Sequence, residues 1–415
     1  MEVLPLNAIV YNQDKVKMED VVAPPYDVID EKYQDELYSR SEYNCVRLIL
    51  NKSENRYEES AKVFNELKEK EILIHTDKPA IFYIVQKYKN EKGKMIERKG
   101  FIARNKIEDF STGKILPHEY TMGGPKEDRF KLVSATGAFY SQIFMVYNDE
   151  KQRIENEVAS KYLAKKPYMD ITDDLGIQNL VYLIDDEQDI KIISKVLADK
   201  TLLIADGHHR YETSMRYAKE HPENKYAQYV MSYFTNAADE NLIIYPTHRI
   251  VEKEINPAKI LEVVKKHYDV IEMTDKEAFL DKIEQENKNQ ITTGLILKDD
   301  EKYYVLKLKE GVKETIAVEK ELQNLDLTVL HEVILKGELG FSQVELMSQD
   351  GIKYEKKENV SFESVKSSNA SACFIMAYPK MKDIIDISSC GLRMPQKSTY
   401  FYPKLLSGIV INPLS

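Results

Sequence analysis

Between Leu180 and Glu220 the chain alternates two hydrophobic periods in a fixed order. Leu180–Ile184 and Thr201–Ala205 are short continuous apolar runs, the pattern of buried strands. Glu187–Ala198 and Arg210–Glu220 place apolar residues three and four apart, the pattern of helices packed on one side. A β-α-β-α order predicts a layered α/β unit. Around it the pattern is mixed. Ile81–Lys89 and Arg98–Ile107 flank the polar turn Asn90–Lys94 and predict a hairpin, as do Ile291–Leu297 and Lys302–Leu308 across Lys298–Glu301. Asp30–Ser41, Glu54–Glu71, Glu150–Leu163, Pro257–His267, Lys276–Glu286 and Lys380–Ile387 read as helices. Val46–Leu50, Gln142–Tyr147, Ile243–Val251 and Ala372–Ala377 read as strands.

The expected fold class is α/β with α+β parts. The 415 residues predict several domains. Residues 1–150 read as an N-terminal α+β domain ending at the polar helix Glu150–Leu163, and 151–250 as the α/β core. Residues 251–385 read as a Lys/Glu-rich accessory α+β module, and 386–415 as a C-terminal segment returning to the site.

The net charge of −10 argues against a general nucleic-acid binder, whose affinity rests on neutralising phosphates. No apolar run approaches the ~20 residues of a membrane span. The opening residues lack the basic and apolar regions of a secretory leader. Cys45, Cys373 and Cys390 are three and far apart, which fits a reducing cytoplasm and gives no zinc spacing. His118-Glu119 and His331-Glu332 lack the second histidine of a zinc helix.

Four short clusters concentrate chemistry. In Leu202–Thr213 an apolar strand runs into Asp206-Gly207-His208-His209-Arg210 at a helix start. A helix N-terminus offers free N–H groups and partial positive charge. Gly207 permits close backbone approach, and Arg210 offers a two-pronged donor. Together these describe a phosphate pocket; a capped Asp-Gly turn with surface histidines is the plain alternative. Pro117–Arg129 packs His118, Glu119, Lys126 and Arg129 around a Gly-Gly-Pro turn able to form an anion nest. Ala23–Val28 is a rigid double-proline turn presenting Tyr26 and Asp27, either as a general base or metal ligand or as a cap on the following helix. Arg393–Lys404 carries Lys397-Ser398-Thr399, which ends like a phosphate loop without its upstream glycines. His248-Arg249 is a fifth, weaker candidate. Arginine is scarce, eleven against forty-eight lysines, yet Arg129, Arg210, Arg249 and Arg393 all fall in these clusters. A planar fork suits carboxylate and phosphate better than lysine does.

The segment Ile204–Tyr211 resembles the phosphate-binding box of the ParB/sulfiredoxin-like superfamily, in which some members carry Asp-Gly-His-His-Arg. More widely, Ala23–Asp27, His118–Arg129, Asp206–Thr213, His248-Arg249 and Met394–Lys404 resemble, in order, a bacterial and archaeal domain-of-unknown-function family associated with phosphoserine aminotransferase. The resemblance implies nucleotide chemistry, with one similar branch phosphorylating free serine. On it, Gly207, His208, His209 and Arg210 would hold nucleotide phosphates, with Lys397, Ser398 and Thr399 adding contacts. Asp206 would meet the reacting hydroxyl or Mg²⁺, with His208 beside it. Asp27 or Glu119 would be the base; Asp27 is also a candidate for the metal. His118, Lys126, Arg129 or Arg249 would bind the substrate. His208 stands where sulfiredoxins carry cysteine, so sulfinic-acid chemistry is not expected. The expectation is a cytoplasmic phosphotransferase interconverting serine and phosphoserine with a nucleotide or pyrophosphate and Mg²⁺, with no nucleic-acid or membrane partner. A phosphohydrolase and a non-catalytic nucleotide-binding module remain the alternatives.

Overall fold

The computed structural model describes residues 1–90, 93–121, 123–367 and 370–415. Glu91 and Lys92 of the expected hairpin turn, and Met122 of the Pro117–Arg129 cluster, lie outside the described residues. The chain is mixed α/β and divides into two compact units. The first comprises residues 1–117, 121–243 and 403–415; the second comprises 118–120 and 244–402.

The first unit is built on a nine-stranded mixed sheet. Its strands run in the order Ile115–Pro117, Leu202–Asp206, Ile143–Tyr147, Tyr229–Asn236, Met95–Lys106, Ile81–Lys89, Gln178–Ile184 and Met169–Thr172, with Val3–Leu4 added beside Met95–Lys106. Leu202–Asp206 pairs parallel with Ile115–Pro117 and antiparallel with Ile143–Tyr147. One face carries a core of Tyr83, Phe101, Met145, Ile204 and Phe234. Ile154 and Val158 from one helical segment and Ile193 and Leu197 from another pack there. The hairpin and the 178–220 alternation form as their periodicity predicts.

Several expectations change. Val46–Leu50 is not a strand; Val46–Ile49 is a short helix with Val46, Leu48 and Ile49 buried. A short apolar run does not separate helix from strand by period alone. Here Asn44 decides, because its Oδ1 accepts the Val46 N–H at 2.9 Å. Ile243–Val251 is two strands, Ile243–Tyr245 and His248–Val251, interrupted at Pro246, which has no N–H for a ladder. Glu150–Leu163 begins its helix only at Ile154. Rather than marking a boundary, it buries Ile154, Val158 and Tyr162 in the first core. The units also divide the chain differently from the four expected segments: strands from 1–150 and 151–250 share one sheet, and the last thirty residues contribute to both units.

The second unit is a six-stranded antiparallel sheet in the order Tyr268–Met273, Tyr303–Leu308, Thr292–Leu297, Ala372–Met376, His248–Val251, Ile352–Glu355. One face packs Ile260 and Val264 of the helix Pro257–His267 together with Val329 and Leu330. The other packs Phe279 and Ile283 of Lys276–Glu286 with Phe362 and Val365 of Glu358–Ser367. Both Lys276–Glu286 and Pro257–His267 start on side-chain caps, Asp275 and Asn256.

Gly100 in the first sheet has no room for a side chain. A Cβ there would sit 2.4 Å from the Phe234 carbonyl oxygen and 2.4 Å from the Tyr233 ring. Gly100→Ala is expected to destabilise the protein by about 1–3 kcal/mol or more, because a packed strand has little room to shift. Urea unfolding measures it.

Candidate functional site

Asp206 closes the strand Leu202–Asp206 at an irregularity. Ile204 pairs with Met145, but Asp206 pairs with Phe144, so the register slips across Ala205. A bulge of this kind re-aims the side chain that follows. Gly207 then adopts φ +91°, a left-handed conformation that glycine takes without a Cβ penalty. Its missing side chain leaves space for the Arg210 guanidinium, whose atoms lie 3.0–3.1 Å from where a Cβ would be. The helix His208–Glu220 follows directly, with Gly207, which has no side chain to offer, at its N-cap. The junction therefore presents a carboxylate, a tight glycine turn and a helix N-terminus within three residues.

Asp206 is held from two sides. Lys404 Nζ donates to Oδ1 at 2.5 Å, and Arg210 Nη2 donates to Oδ2 at 2.7 Å. Burial alone would raise the Asp206 carboxyl pKa. Lys404 and Arg210 outweigh burial and hold it well below the usual carboxylate range, with His208 pulling the same way. Arg210 Nη1 also donates to the Gln142 carbonyl. The fork expected to reach outward for phosphate is therefore engaged with Asp206 and a backbone oxygen. His208 is buried and His209 half-buried beside it.

Three clusters far apart in sequence meet in this unit. Tyr26, Arg129 and Arg210 line one cavity of about 40 Å³, together with Ser141 and Ser214. The Arg129 guanidinium lies 4.0 Å over the Tyr26 ring, and its Nε donates to Asp128 Oδ2 at 2.7 Å. Asp128 also accepts the Tyr57 hydroxyl at 2.9 Å and pairs with Arg56 at 2.7 Å. Burial would raise the Asp128 carboxyl, but Arg129, Tyr57 and Arg56 hold it below its ordinary value. Burial raises the Tyr26 hydroxyl, against the pull of Arg129 and Arg210. Asp27 is exposed, with no hydrogen bond or ion pair among the described residues. It does not cap the next helix; Asp30 does, accepting the Tyr33 N–H at 2.8 Å. Lys126 pairs with Glu212 at 2.8 Å, and Thr121 donates to the same carboxylate at 2.9 Å.

The remaining candidates lie in the second unit. His118 is buried, its Nε2 2.9 Å from Thr399 Oγ1. Glu119 Oε1 accepts the Lys397 backbone N–H at 2.7 Å, at a residue with φ +54°. Ser398 donates to the Pro395 carbonyl. Arg249, expected to clamp substrate, is fully buried. Its Nε faces His331 Nε2 at 3.2 Å, its Nη1 donates to Thr247, and its Nη2 donates to the Gln396 and Lys397 carbonyls at 3.3 and 3.1 Å. All three nitrogens are engaged inside, so the guanidinium offers no fork to a ligand. Burial lowers its pKa to about 10.

The sequence reading named neither Lys404 as the partner of Asp206 nor Glu212 as the partner of Lys126. Lys404 closes the fourth cluster, but nothing in its neighbours marks it as the partner of Asp206. Glu212 follows His208 by four residues, one turn along the same helix face. The fit to a divalent cation is poor at Asp206, which two cations already neutralise. No group of three or more His, Cys, Asp or Glu side chains is placed to hold a metal among the described residues. No helix among them is long and apolar enough to cross a membrane.

These features define a mixed α/β chain with a strand-glycine-helix turn in its first unit. The family model described as "Protein of unknown function (DUF1015)" matches residues 3–328, and the chain belongs to that family. No curated protein matches the sequence. Among solved structures, a free serine kinase in complex with AMP is similar over 73% of this chain and 89% of its own, at 17% identity and a TM-score of 0.37. A conserved hypothetical protein from Pyrococcus furiosus covers 73% and 93%, at 17% identity and 0.35. A C-terminally truncated SbnI from Staphylococcus aureus covers 75% and 87%, at 10% identity and 0.35. Likeness at this level assigns no activity.

Asp206 titrates below its reference value of 3.8. Its carboxylate therefore stabilises the fold above that pH, and this contribution is lost only as the pH falls through the depressed folded value. Lys404→Met removes one of two charged partners. It is expected to lower stability at pH 7 by about 1–3 kcal/mol and to move the acid loss to higher pH. Unfolding curves at neutral and acid pH check both.

Proposed function

We propose that the first unit is a nucleotide-dependent phosphotransferase acting on the hydroxyl of a small amino acid, with serine and phosphoserine as the pair interconverted. One observation carries the reading: the bulged strand end, left-handed Gly207 and the helix start that follows it form a turn whose geometry and charges suit phosphate oxygens. Phosphoryl transfer asks mainly for positioning and charge neutralisation, which is what this turn offers.

In this reading the first N–H groups of the helix His208–Glu220, with His208 and His209, receive the phosphates. Arg210 and Lys404 fix Asp206 beside the reacting group and keep it ionised. Arg129, braced by Asp128 and Tyr26, takes the substrate carboxylate. Asp27, exposed and unpaired, takes the proton of the attacking hydroxyl. Mg²⁺ accompanying the nucleotide would add charge neutralisation on the phosphates. The transfer is assigned to the first unit alone.

Purified protein incubated with serine and ATP, ADP or pyrophosphate is expected to form phosphoserine, or to release serine from phosphoserine and an acceptor. Absence of both reactions overturns the proposal. Arg210→Ala removes the charged hydrogen bond that fixes Asp206 at the turn and is expected to weaken nucleotide binding roughly 10–150-fold, the equivalent of about 1.5–3 kcal/mol. Asp27→Asn is expected to lower turnover by about 10²–10⁴ while leaving nucleotide affinity in place. Nucleotide binding with no turnover in any direction would instead point to a binding module.

A further inference from the structure

The second unit contains a cavity of about 280 Å³ that none of the chemistry above uses. It is walled by Pro246-Thr247, residues 287–291, the stretch Asn324–Leu327 and Met376–Ile384. At the small end of ligand pockets, which run roughly 300–1,000 Å³, it suits an occupant of amino-acid rather than nucleotide size.

Five charged side chains line it: Asp326, the half-buried Asp383 and Lys313, and the exposed Lys288 and Lys380. Asp326 stands in the wall at the start of the helix Asp326–Val329, half-buried and without an ion pair among the described residues. Its Oδ1 accepts the Leu327 N–H at 2.6 Å. Burial raises its carboxyl pKa to about 6 and Glu284 adds to the rise, against the backbone donors of Leu327 and Ala377 and the charge of Arg249. Such a carboxylate is short of a cation. Lys288 and Lys380 also line the cavity but are exposed, so they stand at its mouth. Lys380 Nζ is steadied by the Asn287 carbonyl at 2.9 Å. An acid within and lysines at the rim complement a small zwitterion, with its ammonium inward and its carboxylate outward.

We propose that this pocket binds a free amino acid, its ammonium on Asp326 and its carboxylate toward Lys288 and Lys380. The inference goes beyond the phosphotransfer reading and does not rest on it. Binding has a built-in consequence for the chain. Met394 and Ser398 line the same cavity, and Thr247, also in its wall, donates to the Lys397 carbonyl. An occupant therefore braces residues 394–398.

The test is calorimetric titration of the full-length protein with serine, O-phosphoserine, alanine, aspartate and N-acetylserine. At least one free amino acid is expected to bind, and the N-acetyl compound, which lacks the ammonium, is not. Asp326→Asn keeps the shape of the side chain and is expected to weaken that isotherm at least tenfold; Lys380→Met is expected to weaken it less. Three results overturn the proposal: no free amino acid binds, N-acetylserine binds as well as serine, or no isotherm is weakened by Asp326→Asn. The comparison with N-acetylserine uses the unaltered protein and holds even if a variant fails to fold. Loss of nucleotide binding or turnover with this isotherm intact would sink the phosphotransfer reading and leave the pocket standing.

Discussion

The carboxylate of Asp206, gripped by Lys404 and Arg210, ties the central strand end of the first unit to the following helix and to the C-terminal tail. A half-buried carboxylate is costly unless charge and hydrogen bonds compensate it. Here the compensation comes from the next helix and from the C-terminal tail. Beyond Lys404 the tail runs back through the unit. Ser407 exchanges backbone hydrogen bonds with Ala23, Ile411 with Ile9, and the Leu414 N–H reaches the Gly137 carbonyl. Arg210 adds the Gln142 carbonyl to the set. The turn is therefore braced by groups that are themselves fixed by long-range pairing.

The second unit has its own buried charge, handled differently. Among the described residues Arg249 makes no ion pair with a carboxylate. It lies 4.3 Å over the Tyr354 ring and directs its N–H groups to Thr247, His331 and the carbonyls of Gln396 and Lys397. Neutral acceptors and an aromatic face replace the counter-ion. The result fixes the 396–399 segment and the left-handed Lys397. The neighbouring histidines are depressed by their own burial, with Arg249 adding to it: His248 is lowered to about 3 and His331 well below its ordinary value.

Much of this was legible in the residues. Asp206-Gly207-His208 at a strand end, Pro257 and Lys276 at helix starts, and the two hairpins each announce themselves within a turn or two of chain. The chemistry of Tyr26, Arg129 and Arg210 was visible as clusters, but not that the three line one cavity. Asp27 was weighed as a helix cap, yet Asp30 is the cap and Asp27 stays unpaired. Arg249 looked like a clamp and is a buried brace. Lys404, 198 residues from Asp206, carried no local sign of its partner.

The sequence by itself determined the α/β class, most element positions, and the strand-glycine-helix turn, because hydrophobic period, capping residues and glycine's φ freedom act over a few neighbours. Only the tertiary structure decided which charged groups face outward and which are engaged within. Pairing and burial depend on segments hundreds of residues apart arriving at the same place, and a one-residue slip such as the one across Ala205 redirects a side chain without altering any local pattern.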